Sequence, residues 1–315
     1  MNVRVAIAQA GSVLFDRERT LSKLEALAAD AARRGAQLIV FPEAFVGGYP
    51  KGSDFGVRLG QRSPEGRELF RRYFEDAIEV PGPIVERIGR TAREHAVHLV
   101  VGVVERGGGT LYCSALIFGS DGSLLGKHRK LMPTALERVV WGCGDGSTLP
   151  VVATPIGKIG AVICWENYMP LLRTAMYARG VELYCAITVD DRETWLSTVR
   201  HIALEGRCFV ISACQYWEGE TSESDSAVGS PGSSSPAAPA GIRGGSCVIG
   251  PLGEVLAGPE FGGERIVTAD LDLADLIRAR LDFDVVGHYA RPDVFQLLVD
   301  EQPKTSVKRD GGDVA

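Results

Sequence analysis

The stretch IGAVICWENYMPLLRTAMYARGVELYCAIT at residues 159–188 decides the fold, because it predicts a strand, a helix and a second strand in succession. Its first and last apolar runs, 159–164 and 183–188, are short and contain several β-branched residues, which is typical of buried strands. The segment between them predicts a helix, because its apolar residues recur at helical spacing. These residues are Leu171, Leu172, Ala175 and Met176. A strand-helix-strand unit indicates an α/β protein.

The same alternation of short apolar runs and helical segments extends to both sides of this unit. Strands are predicted at residues 3–8, 37–41, 98–105 and 209–214. Two further segments, 114–127 and 246–258, each place two apolar runs around a glycine-containing turn, which predicts hairpins. Parallel crossovers combined with hairpins predict a four-layer α-β-β-α sandwich, in which two mixed sheets are flanked by helices.

Domain organisation follows from where this alternation stops. No linker interrupts it, so we expect a single domain over residues 1–302. Residues 221–241, TSESDSAVGSPGSSSPAAPAG, are almost entirely Ser, Pro, Ala and Gly and predict a mobile surface loop. Residues 303–315 are expected to form a disordered C-terminal tail.

Composition excludes several classes of function. The chain has 315 residues, 45% hydrophobic and 23% charged, with a net charge of −6 and no long basic run, so nucleic acid is not an expected partner. No apolar run is long enough to cross a membrane, and the start MNVRVAIAQA lacks the apolar core of a signal peptide. Seven scattered cysteines without a CxxC pair favour a reducing compartment, so a cytoplasmic protein is expected.

Three polar residues stand where α/β proteins often carry their catalytic groups, just after an apolar strand. Glu43 follows LIVFP, Lys130 ends KHRK after the first hairpin, and Cys164 ends IGAVIC. A cysteine that lies between a strand and a helix can be activated by the helix N-terminus, which favours the thiolate. Taken singly, each residue fits a structural role better than a catalytic one: Glu43 as a turn residue, Lys130 as a solvated charge and Cys164 as a core thiol. Position alone therefore leaves a thiol enzyme as one alternative.

Three longer blocks around these residues add a family resemblance. FPEAFVGGYP at 41–50, HRKLMPTALERVVWGCGDG at 128–146 and CWENYMPLLRTAMYARGVELYCA at 164–186 resemble, in order, the blocks that identify the nitrilase superfamily of carbon–nitrogen hydrolases. HIALEGRCFVIS at 201–212 and GHYARPDVF at 287–295 are also similar to nitrilase segments, so the resemblance extends over residues 3–298. CWEN followed by MPL, together with PTALERVVWG, is more similar to the nitrile-hydrolysing branch than to the amidases.

The resemblance implies roles for particular residues. Cys164 is expected to be the nucleophile, Glu43 the general base and Lys130 the cation that stabilises developing negative charge. Glu137 is expected beside these three, where it would position the substrate or the base; the alternative is a solvated residue paired with Arg138. Aromatic residues close to the motifs are candidates for the pocket wall, with core packing as the alternative: Tyr49, Trp141, Trp165 and Tyr168. Of these, Tyr49 and Trp165 are predicted to bind substrate.

The implied reaction is hydrolysis of an organic nitrile to a carboxylic acid and ammonia, through a covalent thioimidate and an acyl-thioester on the cysteine. Nitrile and water are the expected partners, with no cofactor and no metal, because no zinc-ligand spacing or glycine-rich nucleotide loop occurs. Members of the family usually form dimers that extend into spirals or filaments, so a homo-oligomer is expected. One departure is Ile187 in CAIT, where many nitrilases have proline.

Three alternatives remain open from the sequence. The same fold and residues would serve an amidase or a cyanide-degrading hydratase or dihydratase. A non-catalytic assembly protein could keep the fold, although loss of activity usually removes one of the three polar residues. A papain-like enzyme would need a histidine beside Cys164, and none of the five histidines is indicated for that position.

Overall fold

A computed structural model describes residues 1–219, 240–305 and 307 of the chain. The strands, in chain order, are β1 (Asn2–Gln9), β2 (Leu38–Val40), β3 (Val57–Arg58), β4 (Gln61–Arg62), β5 (His98–Gly107), β6 (Thr110–Phe118), β7 (Leu124–Arg129), β8 (Val151–Thr154), β9 (Gly157–Ile163), β10 (Leu183–Thr188), β11 (Phe209–Cys214), β12 (Tyr216–Gly219), β13 (Ala240–Ile249), β14 (Val255–Phe261) and β15 (Arg265–Asp272). The helices are α1 (Arg17–Arg33), α2 (Pro64–Asp76), α3 (Pro83–Glu94), α4 (Pro170–Ala178), α5 (Glu193–Gly206) and α6 (Ala274–Ala279).

These strands form two large mixed sheets. The first has the order β15-β1-β2-β5-β6-β7 and the second β12-β13-β11-β10-β9-β8, with β14 paired to β13. In the first sheet β1, β2 and β5 are parallel, and in the second β9, β10 and β11 are parallel. The predicted hairpins are the antiparallel pairs β6–β7 and β13–β14.

Side-chain alternation along the strands explains the four layers. In β10, Leu183, Cys185 and Ile187 join a core between the two sheets, whereas Tyr184 and Ala186 face the helices α4 and α5. Such strands are buried on both faces, which is why they are apolar without interruption. The first sheet packs in the same way against α1 and α3. The predicted α-β-β-α sandwich of two mixed sheets is confirmed.

Helix boundaries follow local chemistry. The Asp16 side chain caps α1 by accepting from the backbone N–H of Arg19, and Ser63 caps α2 by accepting from that of Gly66. Proline occupies the first turn of α2, α3 and α4, where its missing N–H has no helical partner to lose. The described part of the chain contains no helix long and apolar enough to span a membrane.

Two sequence predictions concern segments mostly outside the described residues. The expected mobile loop at 221–241 lies there except for its last two residues, and the expected tail at 303–315 lies there except for 303–305 and 307. Within the described part, the backbone N–H of Lys304 donates to Asp145 at 2.8 Å.

Candidate active site

Glu43 follows β2, in a segment whose backbone packs closely against Gly102 of β5. The next residue, Ala44, has a φ of 48°. A Cβ on Gly102 would lie 2.1 Å from the Pro42 carbonyl oxygen and 2.7 Å from the Cα of Glu43. Glycine at 102 is therefore required for this approach. From the second sheet, the Gln215 side-chain amide donates to the Glu43 carbonyl oxygen at 2.7 Å.

Lys130 follows β7 and lies between two carboxylates. Its Nζ donates to Glu43 Oε1 at 2.7 Å and to Glu137 Oε2 at 2.7 Å. Lys130 and Glu43 are completely buried, and the Glu137 side chain is 10% exposed. An ammonium with two carboxylates around it in a dry environment is held firmly in the charged form.

Glu137 belongs to this cluster and not to a surface pair with Arg138. It lies in a short 3₁₀ turn, Ala135–Val139, and its Oε2 also accepts from the backbone N–H of Thr134 at 2.6 Å. The Tyr49 hydroxyl donates to its Oε1 at 2.9 Å. The structure thus brings Glu137 and Tyr49 together with the lysine, as the sequence predicted.

Cys164 lies directly after β9 and is buried, with 3% of its surface exposed. Its φ of 50° is in the left-handed region, which a residue with a side chain rarely occupies. The turn Cys164–Tyr168 is 3₁₀, and within it the Asn167 side-chain amide donates to the Cys164 carbonyl oxygen at 2.8 Å. The hydroxyl of Thr188, at the end of the neighbouring strand β10, lies 3.2 Å from the Cys164 sulfur.

The expected helix N-terminus at Cys164 is wrong in one respect. Helix α4 begins only at Pro170, after the 3₁₀ turn, so its N-terminus is not at the thiol. Burial raises the pKa of the Cys164 thiol, and the charge of Glu43 raises it further, whereas Lys130 lowers it. The thiol is therefore neutral in the resting site and needs a base to take its proton as it reacts.

Glu43 has the properties of such a base. Burial raises its pKa, Lys130 opposes that rise, and the nearby charge of Glu137 adds to it. The pKa of Lys130 is also raised: burial lowers it, but the surrounding negative groups, Glu43 first, outweigh burial. The site therefore combines a lasting cation with a carboxylate whose affinity for a proton is increased.

Two adjoining cavities give access to this cluster. One, of about 280 Å³, reaches the sulfur and is lined by Tyr49, Thr134, Glu137, Cys164, Trp165, Val189, Asp190, Asp191 and Arg192. The other, of about 420 Å³, shares Tyr49, Glu137 and Val189 and continues along Phe55 and Trp141. The smaller cavity is lined mainly by polar residues and the larger one mainly by apolar side chains, a combination that suits a small molecule with one polar end.

Trp165 lies at the mouth of the smaller cavity, with 42% of its surface exposed. Its indole N–H donates to Asp190 Oδ2 at 2.9 Å, and the Arg192 guanidinium lies 4.9 Å from its ring centroid. Both predicted pocket residues, Tyr49 and Trp165, therefore line the cavity that contains the sulfur.

A second buried pair, His128 and Glu166, supports the site and was not predicted from the sequence. His128 Nε2 donates to Glu166 Oε2 at 2.9 Å, and its Nδ1 lies against the Thr148 carbonyl oxygen. Glu166 also accepts from the backbone N–H groups of Leu131 at 2.6 Å and Ile163 at 3.0 Å. Glu166 thus connects the segment after Lys130 with the strand before Cys164. Its place in the CWEN block was the available signal.

This pair also bears on the histidine question. Both ring nitrogens of His128 face acceptors, so both carry a proton and the ring is an imidazolium. Burial opposes that charge, but Glu166 outweighs burial and raises the His128 pKa. A protonated ring held by Glu166 cannot serve as the base for Cys164. No cluster of three or more metal-ligating side chains occurs among the described residues.

A four-layer sandwich with a thiol, a carboxylate and an ammonium between its sheets defines a class of cysteine-dependent hydrolase. The chain belongs to the carbon-nitrogen hydrolase family, whose model matches residues 4–281. Within the family it groups with nitrilases: it is 57% identical over 304 residues to an aliphatic nitrilase of Sinorhizobium fredii (strain HH103), covering 96% of this chain and 97% of that protein. The expected superfamily and branch are confirmed.

Two further relatives are also named nitrilases, and two solved structures share the fold. The chain is 55% identical to the bifunctional nitrilase/nitrile hydratase NIT4A of Lupinus angustifolius (97% of this chain, 88% of that one) and 51% identical to nitrilase 1 of Arabidopsis thaliana (97% and 89%). An amidase from Nesterenkonia sp. shares the fold with a TM-score of 0.65 and 21% identity, over 88% of this chain and 93% of that one. The C. elegans NitFhit protein matches with a TM-score of 0.73 and 21% identity, over 97% and 69%.

Proposed function

We propose that this protein hydrolyses organic nitriles to carboxylic acids and ammonia, with Cys164 as nucleophile, Glu43 as general base and Lys130 as the electrostatic stabiliser. The observation that carries the proposal is the meeting of these three groups beside a cavity that reaches the sulfur. Relatives that are named nitrilases and cover nearly the whole chain support the choice of nitriles over amides.

The first half of the reaction forms the covalent adduct. Glu43 takes the proton of the Cys164 thiol while the sulfur attacks the nitrile carbon, so a C–S bond forms and one C–N π bond breaks. The electron pair moves to the nitrogen, where the Lys130 ammonium stabilises the charge until Glu43 returns the proton. The product is a thioimidate.

The second half uses two waters. Glu43 removes a proton from the first water as the water attacks the thioimidate carbon, and it passes this proton to the nitrogen, which becomes an amine in the tetrahedral species. Glu43 then takes the proton of the new hydroxyl and delivers it to the amine as the C–N bond breaks, so ammonia leaves, a thioester remains and Glu43 is ionised again. A second water, activated in the same way, attacks the thioester and releases the carboxylic acid and the thiol. Glu137, held by Lys130 and Tyr49, fixes the lysine between the two carboxylates and keeps the proton affinity of Glu43 high.

Amide release is a second candidate outcome of the same intermediate. The tetrahedral species gives the amide if the sulfur leaves before ammonia does. The relative from Lupinus angustifolius is named as both a nitrilase and a nitrile hydratase, which favours testing for both products. We propose the acid as the main product, because Lys130 and the protonated Glu43 can each donate to the nitrogen, which favours loss of ammonia over loss of the sulfur.

The test is ammonia release from a panel of aliphatic nitriles, arylacetonitriles, aromatic nitriles, amides and cyanide, with acid and amide measured separately. Wild type should turn over nitriles, Cys164→Ala should be inactive, and Cys185→Ala should stay active. Cys185 is the matched control, because it is equally buried but burial alone raises its pKa. Turnover of amides or cyanide with none of nitriles would contradict the proposal.

Mass spectrometry of stopped reactions separates catalysis from a non-catalytic assembly role. A covalent adduct of nitrile or acyl mass on the peptide that contains Cys164 is expected in wild type. Iodoacetamide should alkylate Cys164 far faster than the other buried thiols, and nitrile should protect it. Uniform slow labelling without an adduct would favour the assembly protein.

We also propose a dimer-based homo-oligomer that extends into spirals or filaments, and a cytoplasmic location. Apolar side chains exposed on α4 and α5, including Leu171 and Leu204, would be covered in an oligomer. The seven free cysteines, six of them buried, suit a reducing compartment. Light scattering and electron microscopy of the purified protein test the assembly; a monomer at all concentrations would contradict it.

A further inference from the structure

The hydroxyl of Thr188 contacts the sulfur of Cys164. This threonine ends strand β10, which runs parallel to β9, and the pairing of Ile187 with Ile163 makes Thr188 and Cys164 the next neighbours beyond the ladder. Carboxyl ends of adjacent parallel strands meet at one sheet edge, where α/β proteins place ligand-binding groups. Thr188 is completely buried.

The hydrogen bonds of Thr188 fix the direction of its hydroxyl. The backbone N–H of Asp190 donates to Thr188 Oγ1 at 2.9 Å, which occupies one of its lone pairs. The Cys164 sulfur lies 3.2 Å from the same oxygen, at hydrogen-bond distance. In this contact the hydroxyl is the donor and the sulfur the acceptor, because the Asp190 N–H already supplies a proton to the oxygen and the hydroxyl proton is left to point at the sulfur.

We propose that Thr188 is a further catalytic residue, whose hydroxyl donates a hydrogen bond to the Cys164 sulfur and stabilises the thiolate as it attacks and as it leaves. This inference rests on the proposed role of Cys164 as nucleophile. When Glu43 takes the thiol proton, the bond becomes charge-assisted and therefore stronger. The bond weakens when sulfur is bound to carbon and strengthens again when the C–S bond of the thioester breaks. Thr188 keeps its own proton throughout.

This role is needed because the sulfur has few stabilising partners. Burial and Glu43 disfavour the thiolate, whereas Lys130 and the Thr188 hydroxyl favour it. Further ionisable groups interact electrostatically with the Cys164 thiol: Glu137, Tyr49, Arg192 and Cys214. Lys130 donates its hydrogen bonds to two carboxylates, whereas the Thr188 hydroxyl donates to the sulfur itself.

The experiment measures two quantities against pH in full-length Thr188→Val, Thr188→Ala and Thr188→Ser: nitrile turnover and alkylation of Cys164 by iodoacetamide. Without the hydroxyl, kcat should fall roughly ten- to a hundred-fold, the effect of one hydrogen bond to a charged group. The pH midpoint for alkylation of Cys164 should rise by a similar factor in proton concentration. Serine keeps the donor and should retain both values within a few-fold.

Two controls belong to the same experiment. Cys143 is exposed, so its alkylation in the same samples reports any general change in reagent or pH. Thr91→Val removes another buried hydroxyl, one that donates to the Arg87 carbonyl oxygen within α3, and should behave as wild type. If valine prevents folding, the alanine and serine variants provide the same comparison.

Wild-type values in the alanine and valine variants would overturn the inference while leaving the proposed function intact. An equal loss in the serine variant would also overturn it, because the effect would then come from packing. If wild type itself shows neither nitrile turnover nor selective alkylation of Cys164, the proposed function fails instead.

Discussion

Two buried carboxylates in this protein, Glu43 and Glu166, have opposite environments. Glu166 uses both oxygens: Oε1 accepts from the backbone N–H of Leu131, and Oε2 accepts from that of Ile163 and from His128. Glu43 accepts through Oε1 from Lys130 and, at 3.7 Å, from the Cys113 thiol, while its Oε2 has no hydrogen-bond partner among the described residues. Both side chains are almost completely inaccessible.

This difference indicates a structural role for Glu166 and a chemical role for Glu43. Buried polar atoms are nearly always paired, and leaving one unpaired costs about 1–3 kcal/mol. Glu166 follows the rule and joins the segments that carry Lys130 and Cys164. Glu43 breaks it, and the unpaired oxygen is available to receive a proton. One carboxylate should therefore affect mainly stability and the other mainly turnover.

Glu43→Gln should have the largest effect on activity. The amide keeps the shape but cannot accept the thiol proton, so kcat for nitrile hydrolysis should fall by about 10² to 10⁴, the range for loss of a general base. The thermal unfolding temperature should change much less than in Glu166→Gln. Turnover within about tenfold of wild type would contradict the role of Glu43.

Glu166→Gln should reverse that order. Its amide cannot accept from every donor that surrounds it, and His128 loses the carboxylate that offsets the cost of burying its charge, so unfolding in urea should lose roughly 3–5 kcal/mol. The matched control is Glu79→Gln, which removes an exposed partner of Arg106 and should cost about 0–1 kcal/mol. Equal losses in both variants would contradict the supporting role of Glu166.

Glu137→Gln tests how the charge of Glu137 affects the pKa of Glu43. Glu43 must be ionised to act, so activity is lost as pH falls through its raised pKa. Because the charge of Glu137 raises that pKa, removing the charge should move the acidic limb of kcat/KM to lower pH. The measurement is the pH profile of both enzymes in one buffer series. A limb that moves to higher pH would be inconsistent with repulsion between the carboxylates.

His128→Gln should have the smallest effect, visible in stability against pH. Folding raises the His128 pKa above its unfolded value, so the stabilisation is complete below about pH 6.5 and is lost as pH rises through the folded pKa. Each unit of that shift corresponds to about 1.4 kcal/mol. The difference in unfolding free energy between wild type and variant should therefore shrink with rising pH. A difference independent of pH would mean that the charge of His128 contributes nothing.

Much of the fold was predictable because its strands and hairpins are encoded locally. The strand-helix-strand unit at 159–188 and both hairpins follow from apolar periodicity and turn residues. The blocks around Glu43, Lys130 and Cys164 indicated which polar residues to compare. The structure brings these residues together through the two sheets, which periodicity alone could not show.

Residues that support the site could not be predicted from the sequence, because their roles depend on partners that are distant along the chain. Thr188 and Gln215 end or follow ordinary apolar strands, and only the pairing of β10 with its neighbours brings them to the site. The thiol environment was misjudged for a similar reason: the 3₁₀ turn after β9 separates Cys164 from α4, and its left-handed backbone leaves no periodic signal.

The left-handed backbone at Cys164 lowers the stability of the folded protein while it holds the sulfur at the end of β9. A residue with a side chain pays about 1–2 kcal/mol to hold a left-handed conformation that glycine adopts freely. Cys164→Gly would remove that cost, but it would also lose a buried side chain and give the unfolded chain the extra freedom of glycine, so its unfolding free energy should stay close to that of the native protein. Under the proposed function that variant would have no nucleophile, so the strained backbone at this position serves the sulfur and not the stability of the fold.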